Sequence, residues 1–179
     1  MQKLNQQPDI CPYFSPEFKV IPQYIIMKEG ECMELNNRTT SFFIFILSGE
    51  ITISFEQYTN RSVLENEMFF LPKNNCFKWK AVTQTVLILT GYNATIFPCT
   101  SVRARILYKI KAGVKFDCRG VVMKDEVKVV VNQMKHYLES GINCHHMYIL
   151  KHKELYLMFK HFYTYEEIIQ IFYLILRSE

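Results

Sequence analysis

None of the five histidines precedes His136, and the stretch from Ser41 to Tyr92 has none at all. That removes the commonest metal ligand and the commonest acid–base group from most of the chain. The six cysteines (Cys11, Cys32, Cys76, Cys99, Cys118, Cys144) include no close pair. A structural zinc site needs paired ligands such as C-x-x-C, so that class is set aside. Met1 to Ser15 lacks the basic start and apolar core of a secretory leader. Reduced, mostly buried thiols are therefore expected rather than a disulfide framework. The longest apolar run, Ile168 to Leu176, contains Gln170 and is too short to span a bilayer. No membrane contact is expected, and the chain reads as cytoplasmic. There is no internal repeat and no low-complexity tract.

What is present suits one domain, or one domain with a helical appendage, since 179 residues can bury a substantial core. The 14 Phe and 11 Tyr predict an interior or interface rich in rings. Charge is uneven. Lys and Arg exceed Asp and Glu by 14 to 10 before residue 120 and balance at 7 to 7 after it. The local excess lies in Arg103, Arg105, Lys109, Lys111, Lys115 and Arg119, opposed by Asp117. Such a stripe suits an anionic ligand or a phosphate backbone. Because Ile106, Tyr108 and Ile110 alternate with the lysines, the plainer expectation is the solvent face of a strand.

Up to about residue 120 the period is two. Short β-prone runs occur at Tyr24 to Met27, Cys32 to Leu35, Phe42 to Leu47 and Ile51 to Phe55. They continue at Arg61 to Leu64, Glu67 to Leu71, Cys76 to Val82 and Thr85 to Leu89. Turn residues separate them, with Ser48-Gly49 read as a two-residue hairpin link. Ile51, Ile53 and Phe55 share one face, as do Phe77, Trp79 and Ala81. Phe42 to Leu47 and Val86 to Leu89 are apolar on both faces and should be central strands. Eight short strands at this spacing predict a sandwich or barrel.

After Gly120 the period becomes about 3.6. Met123, Val127, Val131, Met134 and Leu138 form one helical stripe that Gly141 is placed to end. Asn143 can cap a second helix to about His161, with Met147, Leu150, Glu154, Leu157 and Met158 on one side. Thr164-Tyr165-Glu166-Glu167 is a capping box opening a third helix, apolar on more than one face. Such a helix needs more than one covering partner. The expected architecture is α+β: a β-barrel over 1–120 with an N-terminal arm, then a bundle of about three helices over 121–179.

Phe43 to Glu50, followed by Leu64 to Pro72, resembles the core of a cupin (double-stranded β-helix) barrel, in particular the N-terminal sensor domain of AraC-type transcriptional regulators. The tail, Cys144 to Met147, Lys151 to Leu155 and Phe162 to Glu167, resembles the helical segment of such regulators from Bacteroides-like bacteria. The resemblance implies a non-enzymatic domain that senses a small effector, a sugar or metabolite, and forms a homodimer. Metal-binding cupins carry two histidines and a glutamate before the hairpin glycine and a histidine after the proline. Here Asn36 to Leu47 has none of these, and Cys76 and Phe77 stand near the later position. No metal and no cofactor are expected. AraC-type regulators continue into two helix-turn-helix units where this sequence reaches Glu179. DNA is thus expected to be contacted only through a C-terminal domain absent from this chain.

In the resembling family the effector sits in the mouth of the barrel. Position and parity offer Phe43, Phe45, Phe70, Trp79 and Tyr92 as lining residues, with Arg38 as an anion contact; the alternative is that these rings only fill the barrel. Tyr165, Ile168, Phe172 and Ile175 are the expected dimer interface. His145, His146 and His152 lack a carboxylate or thiol at helical spacing to complete a metal set, so surface or hinge positions are expected. Cys144 beside His145 forms a nucleophile–base pair in sequence only. The competing classes are a stand-alone cupin enzyme, such as a sugar isomerase or dioxygenase, and a nucleic-acid binder using residues 103–119.

Overall fold

The structure is a computed structural model that describes residues 22–37, 39–92, 100–142 and 144–176. Eight strands follow one another: β1 (Gln23–Met27), β2 (Cys32–Asn37), β3 (Ser41–Ser48), β4 (Glu50–Phe55), β5 (Tyr58–Leu64), β6 (Glu67–Leu71), β7 (Asn75–Ala81) and β8 (Thr85–Tyr92). Each coincides with one of the short β-prone runs read from the sequence. They form two antiparallel sheets of order β1-β8-β3-β6 and β2-β7-β4-β5, and a short β9 (Val121–Val122) adds to β6 at the edge of the first. That strand order is the eight-stranded jelly roll, the architecture of cupins. β3 and β8 are interior strands of their sheet, as their two-sided apolar character requires.

The inner faces meet through Ile44, Phe69 and Leu87 from one sheet and Ile51, Phe77 and Trp79 from the other, all buried. Phe55 of β4 bridges the sheets, with ring centroids 6.1 Å from Phe69 and 4.8 Å from Phe77.

Ser48-Gly49 does not close a hairpin, because β3 and β4 belong to different sheets. It is the corner at which the chain leaves one sheet for the other. Gly49 has φ 84°, and a side chain there would lie 2.4 Å from the Gln84 carbonyl oxygen and 2.7 Å from Thr85 Oγ1. The β7–β8 connection buttresses this corner: Thr83 Oγ1 accepts from the Glu50 amide at 3.1 Å, and Thr85 Oγ1 lies 3.0 Å from the Glu50 carbonyl oxygen.

Residues 100–111 correct the sequence reading. They form α1 (Thr100–Lys111) rather than a strand. Val102, Ile106 and Ile110 recur every four residues and give α1 its inward stripe, and Tyr108 is exposed. Three further helices follow as expected: α2 (Asp125–Glu139), α3 (His145–Phe162) and α4 (Tyr165–Leu176). Gly141, at φ 71°, ends α2 by donating its amide to the Leu138 carbonyl at 3.0 Å. The capping box of α4 is made: the Thr164 amide donates to Glu167 Oε2 at 2.7 Å, and the Glu167 amide to Thr164 Oγ1 at 3.3 Å. Burial raises the Glu167 carboxyl, but these Thr164 bonds and the Lys124 ammonium at 3.1 Å outweigh it and hold it below its ordinary value. Asn143, read as a cap for α3, lies outside the described residues.

The side of α3 that carries Met147, Leu150, Glu154, Leu157 and Met158 is not its buried face. Tyr148, His152, Leu155, Tyr156 and Phe159 turn inward, while Leu150 and Leu157 are 63% and 54% exposed. Both sides of α3 carry apolar residues at helical spacing, and His152 interrupts the inward one. The cysteines also differ from expectation: of the four described, Cys118 is buried, and Cys32, Cys76 and Cys144 are exposed and free. Cys11 and Cys99 lie outside the described residues. No helix among the described residues is long and apolar enough to cross a membrane.

Two glycine substitutions separate the corner from an ordinary helix end. Gly49→Ala meets backbone as well as a left-handed φ and is expected to cost more than about 3 kcal/mol. Gly141→Ala meets nothing within 4 Å and should cost about 1 kcal/mol. Equal losses in chemical denaturation would contradict the close approach at the corner.

Candidate functional site

Four of the residues expected to line the barrel do not face its interior. In β3, Phe43 and Phe45 share a side with Phe70 and Met68 of β6 and with Thr90 and Ile88 of β8, by direct cross-strand register. That side is the outer face of the five-stranded sheet, and helices cover it. The Phe43 ring lies 5.8 Å from Phe159 of α3 and 6.1 Å from Phe172 of α4, and Tyr92 lies 6.2 Å from Phe172. Only Trp79 points into the barrel. Strands apolar on both faces give no parity signal, which is why the sequence could not tell inside from outside. Arg38 lies outside the described residues.

The outer-face rings are a packed core. The space among Phe43, Met68, Phe70 and Leu174 is about 10 Å³, no more than one water fills. Among the described residues, no buried side chain on the inner strand faces is a carboxylate, a histidine or a thiol. Among the described residues no three histidines, cysteines or carboxylates gather as a metal set.

The expected dimer residues are largely spent inside the chain. Ile168 and Phe172 are buried, with Phe172 against Phe43, Tyr156 and Phe159. The barrel, rather than a second subunit, is the extra partner that α4 needed. Tyr165 is half-buried at the start of α4 beside α1, and the Ile175 side chain lies outside what is described.

Two places carry polar chemistry. The first is buried between the sheet and α3, where Thr90 Oγ1 and His152 Nε2 are 2.8 Å apart. His152 is 3% exposed and His145 5%, so neither is the surface histidine expected from sequence. Burial lowers the His152 imidazole to about 4; the Tyr148 carbonyl one turn back opposes this, and the His145 charge adds to it. Burial, then the charge of His146, lowers His145 as well. The ring is therefore neutral near neutrality and serves as a hydrogen-bonded strut. Nearby, Tyr163 Oη accepts from the Lys124 amide at 2.7 Å and donates to the Val122 carbonyl at 3.0 Å, tying the chain before α2 to the α3–α4 turn. Burial pushes that phenol up to about 12.

The second place is an open groove of about 390 Å³ between α1 and α4, lined by Ala104, Arg105, Tyr108, Lys109 and Tyr165. The sequence had flagged its cations but placed them on a strand. Reading Val102, Ile106 and Ile110 as a period of four would have found the helix.

No family model matches the chain, and no curated protein matches it either. Among solved structures it is similar to a conserved protein of unknown function from Streptococcus pyogenes, at 19% identity and TM-score 0.37, over 40% of this chain and 62% of that one. It is also similar to the cupin domain of Cnp3 from Schizosaccharomyces pombe, at 19% identity and TM-score 0.40, over 46% of this chain and 59% of that one. A cupin superfamily protein from Desulfitobacterium hafniense aligns at 17% identity and TM-score 0.37, over 41% and 68% of the two chains. The chain thus spans about three-fifths of the length of the first two. The fold class, a cupin-type jelly roll with a helical C-terminal part, stands on the strand order itself.

Neutral His152 sets a pH dependence. With its folded value near 4 and an ordinary value of 6.5, its contribution is complete above pH 6.5 and is lost as pH falls towards 4. The loss should reach about 3 kcal/mol across that window. Denaturant titrations from pH 7.5 to 4 test this. The dependence should flatten in His152→Asn, and an unchanged slope would contradict the assignment. Phe172→Ala should lower stability by about 3–5 kcal/mol even in dilute monomer, the mark of an intrachain core residue.

Proposed function

We propose that this chain is a non-enzymatic sensing and pairing module, the part of an AraC-type transcription regulator that its sequence resembles. The observation that carries this reading is the barrel interior. It is filled by apolar side chains and, among the described residues, presents no buried carboxylate, imidazole or thiol, so these offer neither metal ligands nor an acid–base pair. A cupin enzyme, the alternative, would work from that interior. The helical layer supports the reading too, because it gives the barrel an outer surface through which a bound effector and a second copy can communicate. In this reading the module works in the cytoplasm, answers to a small molecule, and leaves DNA contact to a separate helix-turn-helix domain.

Pairing is assigned to α3 rather than to α4. Met147, Leu150, Glu154, Leu157 and His161 follow one another at intervals of three and four, the spacing of a coiled-coil seam, and Leu150 and Leu157 are exposed on it. In an antiparallel, two-fold contact centred between Lys153 and Glu154, each Leu150 falls over the other copy's Leu157. The same symmetry sets each Lys153 beside the other copy's Glu154. The seam is therefore self-complementary in the register of its leucines and, with Glu154 shared between Lys151 of its own chain at 2.7 Å and the other copy's Lys153, in charge.

Sedimentation should show a dimer at tens of micromolar, and Leu150→Glu with Leu157→Glu should give a folded monomer whose melting, unlike that of the wild type, does not depend on protein concentration. A wild-type monomer at high micromolar concentration would sink the pairing role. Metal analysis of the purified protein should find no stoichiometric transition metal; one bound metal per chain, with turnover of a small substrate, would favour the enzyme.

A further inference from the structure

We infer that the groove between α1 and α4 is a binding site for a small planar aromatic anion, an aromatic carboxylate being the simplest case. α1 carries Arg103, Arg105, Lys109 and Lys111 and no carboxylate. Arg105 and Lys109 stand one turn apart on the groove wall, and neither forms an ion pair with any described residue. Two unmatched cations at this spacing bracket a carboxylate, and the guanidinium can grip it with two parallel hydrogen bonds.

The rest of the groove suits a ring. Ala104 leaves space at one wall, and Tyr108 and Tyr165 supply aromatic faces. The volume of about 390 Å³ falls in the range of small-molecule sites. A second observation concerns the groove wall independently of the charge. The Tyr165 hydroxyl is buried with no hydrogen-bond partner among the described residues. Buried hydroxyls are nearly always paired. Tyr165 lies close enough to Arg105 to feel its charge, which works against the upward push of burial on the phenol. Because the open groove leaves this hydroxyl out of reach of water, a carboxylate held by Arg105 pairs with it only as the Tyr165 ring turns towards the groove, and that pairing then favours the bound state.

A nucleic acid is the weaker fit. Arg103 and Lys111 do not line the groove, whose walls are mostly apolar. A phosphate backbone would track cations along a surface instead.

The site gives the sensing module its effector and rests on that reading for its purpose. The two fail separately, because calorimetry scores the groove and sedimentation scores the pairing. Isothermal titration of the full chain with 2-naphthoate should show saturable binding, with the neutral 2-naphthalenemethanol about tenfold weaker or worse. Arg105→Gln with Lys109→Gln should weaken 2-naphthoate about tenfold or more, and Tyr165→Phe a few-fold. Ala104→Phe fills the groove from an exposed position and should abolish binding without changing the melting temperature. Lys78→Gln, on the far sheet, should change nothing. No heat up to about 5 mM 2-naphthoate would overturn the inference. So would equal binding of the alcohol, or binding that Ala104→Phe leaves intact. Salt-sensitive binding of a DNA duplex, lost in the double variant and unaccompanied by 2-naphthoate binding, would assign the cations to nucleic acid and overturn it too.

Discussion

The fold depends on a sheet that is apolar on both faces. Four consecutive residues of β3, Phe43 to Ile46, are buried, as are most of β6 and β8 on either side of it. One face is satisfied by the opposite sheet of the jelly roll. The other would expose several large rings to water if left bare, at roughly 25 cal/mol for each Å². The helices answer that cost. Phe43 packs against Phe70 and Tyr92 within its sheet and against Phe159 and Phe172 of two helices. One hydrophobic cluster therefore runs from the barrel interior through β3 into α2, α3 and α4. The helical segment is a third layer of the fold more than an appendage to it.

Within this layer the polar groups fix position where apolar packing alone would not. Apolar packing of Tyr148, Leu155 and Phe159 on a sheet of phenylalanines carries no directional bond to distinguish one register from the next. The Thr90–His152 bond cannot slide, because a displaced imidazole would be left buried and unpaired. Tyr163 does the same at the far end of α3 by clamping both the Val122 carbonyl and the Lys124 amide. The inward face of α3 is thereby held in one register. Its outward face, with Leu150 and Leu157, is presented in a defined direction.

Where one period dominates, the sequence is legible. Each of the eight barrel strands was marked by alternation or by an apolar run between turn residues. The capping box at Thr164 placed α4 to the residue, and Gly141 ended α2. The faces of the strands were not legible where both were apolar, so Phe43, Phe45, Phe70 and Tyr92 were placed inside the barrel. α1 was missed because Ile106, Tyr108 and Ile110 alternate over five residues, while the deciding spacing needs Val102 as well. Ser48-Gly49 looked like a hairpin because the same dipeptide serves a sharp corner. Only the sheet order and the close approach of Gln84 tell the two apart. His152 could not be placed from sequence, since its burial depends on a threonine 62 residues earlier.

A filled barrel changes where a signal can enter. A ligand in the barrel interior would have to displace packed side chains such as Phe77 and Trp79, losing contacts of the kind that cost several kcal/mol each in cores. A ligand between α1 and α4 displaces only water. α4 is also the element best placed to relay it: Tyr165 in its first turn lines the groove, and Phe172, two turns on, touches Phe43 in the sheet and Phe159 of α3. A shift of α4 is therefore felt on the inner side of the helix whose outer side carries Leu150 and Leu157, the residues proposed to pair. Packed interfaces of this sort change between discrete arrangements rather than deforming continuously. The same close packing that denies a ligand the barrel thus gives the helical layer the stiffness that the proposed coupling of groove and seam would require.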